Sequence, residues 1–282
     1  MADELPAGTR VGRVALAVDD LDRLADFYER VVGLTVRERT DDLALLGVEA
    51  GEPLLELHAS DAPERGDDET GLFHVAFRVP DRTALGAALD RVEARWLLDG
   101  ASDHLVSEAL YLRDPEGNGI EIYRDRPRAE WPRTEDGGVE MDSLRLDLDV
   151  LRSASDGAAT VPDGTDVGHV HLEVSSIPAA RTTYVDALGL GIRDTWARDA
   201  GPEALFVAAG DYHHHVGLNT WNGRTEPPTG RGLAWAELIV PDAETLDAVE
   251  RRLADAGVEH AWDGTALRVT DADGIELRLR AA

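Results

Sequence analysis

The chain has 282 residues, enough for two domains of ordinary size, and it contains no cysteine. Its 28 basic residues, all of them arginine, stand against 56 acidic residues and give a net charge of −28. Such a surface repels phosphate backbones, so the composition argues against nucleic-acid binding and favours adaptation to concentrated salt. Without cysteine there are no disulfides and no thiolate ligands, so any metal must be held by His, Asp or Glu.

The apolar residues are spread through the chain in short runs. Hydrophobic residues make up 43% of it, which is typical of a globular protein despite the acidity. No run approaches the ~20 apolar residues needed to span a membrane, and the first ten residues lack the apolar core of a signal peptide. We therefore expect a soluble, cytoplasmic protein with no membrane partner.

Four segments of the chain repeat one pattern, in which a short alternating strand is followed by a helix and three further strands. In the first segment a helix near Asp20–Val32 is expected to end at Gly33, and in the third the run Thr183–Leu190 parallels Phe27–Leu34. The four opening strands are predicted at Arg13–Val18, His74–Val79, Gly168–Val174 and Ala234–Val240. Further helices are predicted near Thr83–Ala94 and Ala243–Ala256.

A segment rich in Pro and Gly separates the second repeat from the third. The pattern predicts a first domain over residues 10–126, a linker over residues 127–165 and a second domain over residues 166–282. One helix is predicted inside the linker, near Leu144–Ser153.

The stretch Asp103–Tyr123 closes the second segment and carries the strongest chemical signal. Its centre, Asp114–Gly119, has the Pro, Gly and Asn residues of a tight turn, and alternating runs on both sides predict a β-hairpin. Folding the hairpin about this turn sets Tyr111 opposite Glu121, with His104 seven residues before Tyr111. Each residue could equally have a structural role, and the hairpin alone does not decide between the two interpretations.

The DP-x-GNG-IE hairpin and the GHVHL strand resemble the vicinal oxygen chelate superfamily. That resemblance implies an α+β fold of four βαβββ modules that form two eight-stranded cup-shaped barrels around a metal. The stretches ASDHLVSEALYLRDPEGNGIEIY and YHHHVGLNTW are most similar to type I extradiol dioxygenases of the catechol 2,3-dioxygenase branch. The turn alone is weakly specific, and its combination with the His cluster is much stronger.

In this superfamily the ligands come from the start of the first strand and the early part of the last strand of each module. The corresponding residues are Arg13 and Glu56, His74 and Glu121, His169 and His215, and Trp235 and Glu276. Only the second and third segments together supply a complete set, so we infer that the second pairs with the third and the first with the fourth. The alternative pairs the segments in chain order and makes His169, His215 and Glu276 the ligands.

The resemblance implies a role for each residue of the complete set. His74, Glu121 and His169 would hold Fe(II), since iron enzymes that activate O₂ typically use two His and one carboxylate. The resemblance also makes His104, Tyr111 and His215 catalytic: His104 as an acid–base group, Tyr111 as a hydrogen-bonding partner of a substrate oxygen, and His215 near the bound oxygen. Strand alternation predicts His213 and His215 on one face and His214 on the other. For His213, His214 and His171 we expect roles beside the ligands or purely structural ones.

The leading hypothesis is therefore an Fe(II) extradiol dioxygenase that acts on catechol or a substituted catechol with O₂. The first alternative is a glyoxalase-type metal-dependent lyase or isomerase, or a hydroquinone ring-cleaving dioxygenase. The second is a non-enzymatic ligand-binding protein on the same fold, which would not need His104, Tyr111 and His215 together. The resemblance is also compatible with a homo-oligomer.

Overall fold

The computed structural model describes residues 4–134, 138–196 and 203–282 of the chain. The chain forms an α+β protein in which each of four segments runs strand, helix and three further strands. This order confirms the predicted fold class. Among the helices of the described residues, none is long and apolar enough to cross a membrane.

The first segment has a helix that is capped at both ends. Its elements are β1 (Arg10–Val18), α1 (Leu21–Phe27), a π-helical turn (Tyr28–Val32), β2 (Thr35–Arg39), β3 (Leu43–Gly47) and β4 (Leu55–Ala59). The Asp20 side chain accepts a hydrogen bond from the backbone N–H of Arg23 at the start of α1. Gly33 follows the π-helical turn with φ of 93°, a backbone conformation that favours glycine, and it ends the helix as predicted.

The second segment ends in the predicted hairpin. It comprises β5 (Gly71–Arg78), α2 (Arg82–Arg95), β6 (Gly100–Asp103), β7 (Ser107–Arg113) and β8 (Gly119–Asp125). Strands β7 and β8 are antiparallel, and Tyr111 lies directly opposite Glu121. The predicted cross-strand pair is therefore confirmed.

The connection between the second and third segments has more structure than a linker. It contains a 3₁₀ turn (Arg128–Glu130), strand β9 (Leu144–Arg145) and helix α3 (Leu148–Arg152). The helix predicted near Leu144–Ser153 is real but shorter, because Leu144 and Arg145 pair with β6 as a strand instead. Glu135–Gly137, which belong to the predicted linker, lie outside the described residues.

The third and fourth segments repeat the same order of elements. The third comprises β10 (Asp166–Glu173), α4 (Ile177–Arg181), a π-helical turn (Thr182–Ala187), β11 (Gly191–Trp196), β12 (Ala204–Ala208) and β13 (Val216–Asn219). The fourth comprises β14 (Gly232–Val240), α5 (Ala243–Ala256), β15 (Glu259–Asp263), β16 (Ala266–Thr270) and β17 (Glu276–Ala281). The last strand of the third segment begins later than the sequence predicts, and this affects the His cluster described below.

The strands form two sheets that do not follow chain order. The eight-stranded sheet has the order β15-β16-β17-β14-β1-β4-β3-β2 and so joins the fourth segment to the first. The nine-stranded sheet has the order β11-β12-β13-β10-β5-β8-β7-β6-β9 and joins the third segment to the second. The inferred pairing of second with third and first with fourth is confirmed. The alternative pairing in chain order is wrong.

The chain also divides into two compact units. The first contains the chain up to Leu16 together with Ala62–Phe73 and His169–Ala282, and the second contains Ala17–Asp61 and His74–Gly168. Three of the four boundaries fall inside strands β1, β5 and β10, and the fourth follows β4. The predicted domain limits at residues 126 and 166 stay a prediction.

Each unit ties a hairpin turn to a helix through a buried tyrosine. The hydroxyl of Tyr28 donates to Asp114 Oδ2 at 3.1 Å in the second unit. In the first unit the hydroxyl of Tyr184 donates to Asp271 Oδ2 at 3.0 Å. Burial raises the pKa of both tyrosines well above 10.0, with the charge of the partner carboxylate as the next cause. The same contact therefore fixes the turn of both hairpins.

Candidate active site

A His–Glu pair lies on two neighbouring parallel strands of the second unit. Strand β5 pairs with β8 so that Ala76 lies beside Glu121, and His74 precedes Ala76 by two positions on the same face. Nε2 of His74 lies 3.0 Å from Oε2 of Glu121. Both side chains are buried, with 6% and 3% of their residue surfaces exposed. Two potential metal ligands are thus held together out of water.

Tyr111 joins this pair from the opposite strand of the hairpin. Its ring lies 5.8 Å from the His74 ring, and it packs on a small core of Ala76, Ala109 and Tyr123. Burial raises the pKa of the Tyr111 hydroxyl well above 10.0, and the charge of Glu121 and a hydrogen bond to it raise that pKa further. Tyr111 is therefore held as a neutral phenol that can donate its proton.

His104 contacts the other side of the Tyr111 hydroxyl. Its Nε2 lies 2.7 Å from the Tyr111 oxygen, and its Nδ1 lies 2.7 Å from the backbone carbonyl oxygen of Asp142. A carbonyl oxygen can only accept, so Nδ1 carries a proton and donates it to Asp142. The three residues predicted from the hairpin, His104, Tyr111 and Glu121, are thus linked in one chain of contacts.

His169 lies near the start of strand β10 and is buried. A side chain at Gly168, the preceding residue, would place its Cβ 1.8 Å from the Tyr123 hydroxyl oxygen, so only glycine fits there. One potential ligand atom each of His74, Glu121 and His169 lies within 4.8 Å of the other two. In the residues that the structure describes, this is the group of His, Asp and Glu side chains arranged to hold a metal ion.

The donor set fits a divalent transition metal. Two imidazoles and one carboxylate are the ligands that non-haem Fe(II) enzymes use on one face, which leaves other positions open. His74 and Glu121 are buried with their Nε2 and Oε2 atoms 3.0 Å apart, so both can bind one ion. The residues present therefore fit a metal site.

The His213–His215 cluster is arranged differently from the sequence prediction. Strand β13 begins at Val216, so these three residues form a bend before the strand and strand alternation does not govern them. The His214 ring lies 4.2 Å from the His169 ring and its Nδ1 lies 2.8 Å from Nδ1 of His213. The prediction that alternation turns His214 away from His213 is wrong. His214 thus lies next to the candidate ligand His169. The late start of β13 was missed, since nothing in the run of three marks where the strand begins.

His215 precedes β13 and takes up a defined hydrogen bond. Its Nδ1 lies 3.2 Å from the backbone nitrogen of Ala209, whose N–H donates to it. An accepting Nδ1 carries no proton, so a neutral His215 has its proton on Nε2. A neutral His215 therefore acts as a hydrogen-bond donor through its Nε2–H.

His171 occupies the space left by a glycine on the adjacent strand. Strands β10 and β13 pair so that His171 lies beside Gly217, where a Cβ would be 2.8 Å from the His171 ring. The ring contacts Phe73, Trp221 and Phe206 with centroid distances of 5.2, 5.1 and 5.6 Å. His171 thus lies in an aromatic cluster of the first unit.

The fourth segment fills the corresponding positions with other residues. Arg268 pairs with Arg278 across its hairpin, and Arg278 pairs with Glu237 on β14. By the same register that places Glu121 beside Ala76, Arg278 stands at the place of Glu121, and Trp235 stands at the place of His74. The prediction that Glu276 occupies the place of Glu121 is wrong by two residues.

The offset comes from the turn. In both hairpins the first Asp of the turn donates its N–H to the carbonyl four residues on, which is Asn118 in one and Ile275 in the other. The Gly-Ile-Glu motif that both hairpins share lies further along the chain from this Asp in the second segment than in the fourth. Glu276 instead accepts from Arg268 Nε at 3.1 Å and so forms an ion pair with it. Burial raises the pKa of Glu276, but its bonds to two arginines outweigh burial and hold that pKa below 4.5.

The remaining positions named from the sequence also carry polar contacts. Nε2 of His58 lies 3.1 Å from Glu56 Oε2 in the second unit. In the first unit Arg13 Nη2 lies 3.6 Å from Glu237 Oε1, and the Arg13 guanidinium lies 5.8 Å from the Trp235 ring centroid. Glu56 thus contacts His58, and Arg13 contacts Glu237 and Trp235.

Comparison with known proteins agrees with this architecture. The family described as Glyoxalase/Bleomycin resistance protein/Dioxygenase superfamily matches residues 10–122 and 166–279. A protein of Bacillus subtilis (strain 168) named catechol-2,3-dioxygenase is 41% identical over 272 residues, which cover 93% of this chain and 94% of that protein.

Two solved structures share the fold at low sequence identity. Glyoxalase I from Zea mays has a TM-score of 0.62 at 16% identity and covers 96% of this chain and 92% of its own. A putative dioxygenase from Bacillus subtilis has a TM-score of 0.63 at 15% identity and covers 99% of this chain and 86% of its own. These likenesses concern the fold alone.

Proposed function

Since the chain belongs to the Glyoxalase/Bleomycin resistance protein/Dioxygenase superfamily and is an enzyme of its extradiol dioxygenase branch, we propose that it opens the ring of catechol or a substituted catechol with Fe(II) and O₂. The resemblance predicted from the sequence is thereby confirmed. The observation that carries the proposal is the convergence of His74, Glu121 and His169 beside the Tyr111–His104 pair.

The three ligand residues suit this chemistry by charge as well as by type. His74 and His169 are neutral donors, and Glu121 contributes one negative charge. Fe(II), one carboxylate and a catecholate monoanion sum to zero, which a poorly solvated site tolerates. Bound iron would supply a centre that binds both the two substrate oxygens and O₂.

Tyr111 and His104 have complementary roles in this proposal. The Tyr111 hydroxyl, held neutral by burial, hydrogen-bonds a substrate oxygen. His104, whose Nε2 faces Tyr111, moves a proton between the substrate and the surrounding residues. His215 would donate from Nε2 and handle a second proton near the oxygen that reacts.

The test is reconstitution of the protein with Fe(II) without oxygen, followed by addition of catechol and O₂. We expect O₂ uptake equal to catechol consumed, a ring-opened product that retains both oxygen atoms of labelled O₂, and loss of activity when the iron is oxidised. Turnover of hydroquinone but not catechol would replace the substrate in the proposal. Activity on methylglyoxal–thiol adducts with Zn or Ni, and none on catechols, would contradict it. Tight catechol binding without turnover would favour a binding protein.

The charge of the chain supports a separate proposal about its surroundings. With 56 acidic against 28 basic residues, like charges repel more strongly when salt is diluted, because the screening length grows from ~3 Å at 1 M to ~10 Å at 0.1 M. We propose that the protein is adapted to concentrated salt and works without nucleic-acid or membrane partners. The melting temperature should fall on desalting, and a flat or rising value would contradict the proposal.

A further inference from the structure

The segment between the second and third repeats reaches back to His104. Its residues Asp142–Arg145, named the strap here, run along the edge of the nine-stranded sheet. Leu144 pairs with Asp103 and Arg145 with Ser102, and Ser102 Oγ donates to the Leu144 carbonyl at 3.3 Å. This pairing brings the Asp142 carbonyl oxygen to 2.7 Å from His104 Nδ1.

A strained turn directly after His104 also orients its side chain. Leu105, the next residue, has φ of 69°, the one positive value among non-glycine residues in the described part of the chain. A left-handed backbone is unfavourable for a residue such as leucine, so neighbouring contacts must hold it. Asp103 supplies them: its Oδ1 accepts from the Leu105 N–H at 3.0 Å, and its Oδ2 accepts from Arg126 at 2.6 Å.

We propose that the strap is a positioning element for His104, and that the Asp142 carbonyl fixes His104 as the Nδ1–H tautomer. The proposal rests on the proposed function, in which His104 is the acid–base group. A neutral His104 that donates from Nδ1 has a lone pair on Nε2, where Tyr111 lies 2.7 Å away. The strap thereby makes His104 the acceptor in its bond to Tyr111.

This choice of tautomer decides where the single Tyr111 proton points. Both His104 Nε2 and the Glu121 carboxylate are within reach of the hydroxyl. If Nε2 carried the proton of a neutral His104, Tyr111 would have to donate to Glu121 and compete with a metal for that carboxylate. With Nε2 as acceptor, the Tyr111 proton is drawn toward His104 and Glu121 keeps its lone pairs for a cation.

The tautomer can be measured directly, without activity or metal. Histidine side-chain ¹⁵N shifts of the full-length protein at about pH 8, where an ordinary histidine is neutral, distinguish Nδ1–H from Nε2–H. His104→Ala assigns the signal. We expect His104 in the Nδ1–H form. An Nε2–H ring or a doubly protonated ring at this pH overturns the proposal.

Two substitutions at one exposed position separate the strap backbone from the Leu144 side chain. Leu144→Pro removes an N–H and fixes φ, which should release the strap and let His104 populate the Nε2–H form. Leu144→Thr keeps the strand backbone, and its tautomer should match the wild type because the Leu144 side chain is 45% exposed. If both variants keep Nδ1–H, the strap does not set the tautomer. If Leu144→Pro does not fold, Asp103→Ala is compared with Asp103→Asn. The alanine removes the carboxylate contacts that hold the turn next to His104, and the same tautomer measurement shows whether His104 loses its alignment.

Kinetics of the iron-loaded enzyme then test the use of the strap. General acid–base groups contribute about 10²–10⁴-fold, so Leu144→Pro should lower kcat by about tenfold or more with KM changed less than about twofold. In a His104→Ala background the same substitution should have no further effect on kcat, because the strap acts through His104. Additive losses overturn the proposal. Unchanged turnover of His104→Ala with full iron content instead contradicts the role of His104 in the proposed function. The tautomer result is not affected by that outcome, because it is measured without activity.

Discussion

The closing hairpins of the second and fourth segments have the same frame and opposite chemistry. In one, Tyr111 faces Glu121 across the strands, and in the other Arg268 faces Arg278 at the equivalent positions. Both hairpins start from a turn Asp that accepts a buried tyrosine hydroxyl. The backbone therefore does not determine whether such a hairpin holds a metal.

The first strands carry the same contrast. His74 lies 3.0 Å from Glu121, whereas the guanidinium of Arg278 lies 4.4 Å from the centre of the Trp235 ring. The buried carboxylate of the fourth segment is Glu237, and Arg280 donates to it at 3.0 Å. The fourth segment thus contains its own cations, while the second presents neutral and anionic donors that suit a cation from outside.

Replacement of each glutamate by alanine is the most severe test of this contrast between the two hairpins. Glu121→Ala should lose bound iron and turnover together, at least about 100-fold, because even residues that only support metal ligands are worth about 10–100-fold. Glu276→Ala should keep an iron site, since Glu276 bonds to Arg268 and Arg278. The measurement is iron per folded chain. An empty site in Glu276→Ala with a full site in Glu121→Ala would reverse the assignment.

Two Tyr→Phe substitutions compare a reacting hydroxyl with a structural one. Tyr111→Phe should lower kcat by about 100-fold with iron retained, because one preorganised donor is worth roughly that much. Tyr184→Phe loses only its bond to Asp271 and should cost about 1 kcal/mol of stability with normal turnover. Steady-state kinetics and urea unfolding distinguish them. Equal turnover in both variants is the result that would count against Tyr111.

The turn Asp of the fourth segment predicts a pH dependence of stability. Burial raises the pKa of Asp271 from 3.8 to about 6, despite hydrogen bonds that lower it. The folded state therefore binds more protons than the unfolded state between these values, and the stability from Asp271 is lost as pH rises through about 6. Two pKa units correspond to about 3 kcal/mol, so Asp271→Asn should be more stable than wild type at neutral pH by up to that amount.

The gain should shrink as pH falls from about 6 and should vanish at about pH 3, where both states of the wild type are protonated. Urea unfolding of the two proteins at matched high salt, from neutral to acidic pH, gives the difference directly. The corresponding Asp114→Asn should behave in the same direction, because burial also raises the pKa of Asp114. A difference that is constant with pH would show that Asp271 is not the titrating group.

The smallest expected effect concerns the cation of the fourth segment. Arg278→Met removes the guanidinium over Trp235 and one bond to Glu276, and it should cost about 1 kcal/mol of stability. Iron content and turnover should not change. Thermal melts with iron analysis check this, and loss of iron in this variant would show that the fourth segment takes part in metal binding.

Much of the fold and the candidate site could be predicted from the sequence because the signals were local and repeated. The hairpin register followed from the turn residues, and the pairing of segments followed from where a complete ligand set could arise. The position of Glu276 was predicted wrongly because the two Gly-Ile-Glu motifs were matched by identity, although they lie at different distances from the turn. The bend at His213–His215 was missed because no breaker residue marks the start of β13.

The strap was missed for a different reason. Two exposed residues, Leu144 and Arg145, carry no alternating pattern, and their strand exists only because the edge of β6 is there to pair with. The helix predicted near Leu144–Ser153 covered the same residues. Tertiary pairing outweighed that local preference.

The strap also bears on how the chain can change in evolution. A connector between repeated segments can usually gain or lose residues, since long surface connections cost little to extend. Here the length between β8 and Asp142 determines whether a carbonyl reaches His104, so insertions next to residues 142–145 should be selected against. Gly157, exposed after α3 with φ of 73°, has open space around it and is a position where new residues should be tolerated.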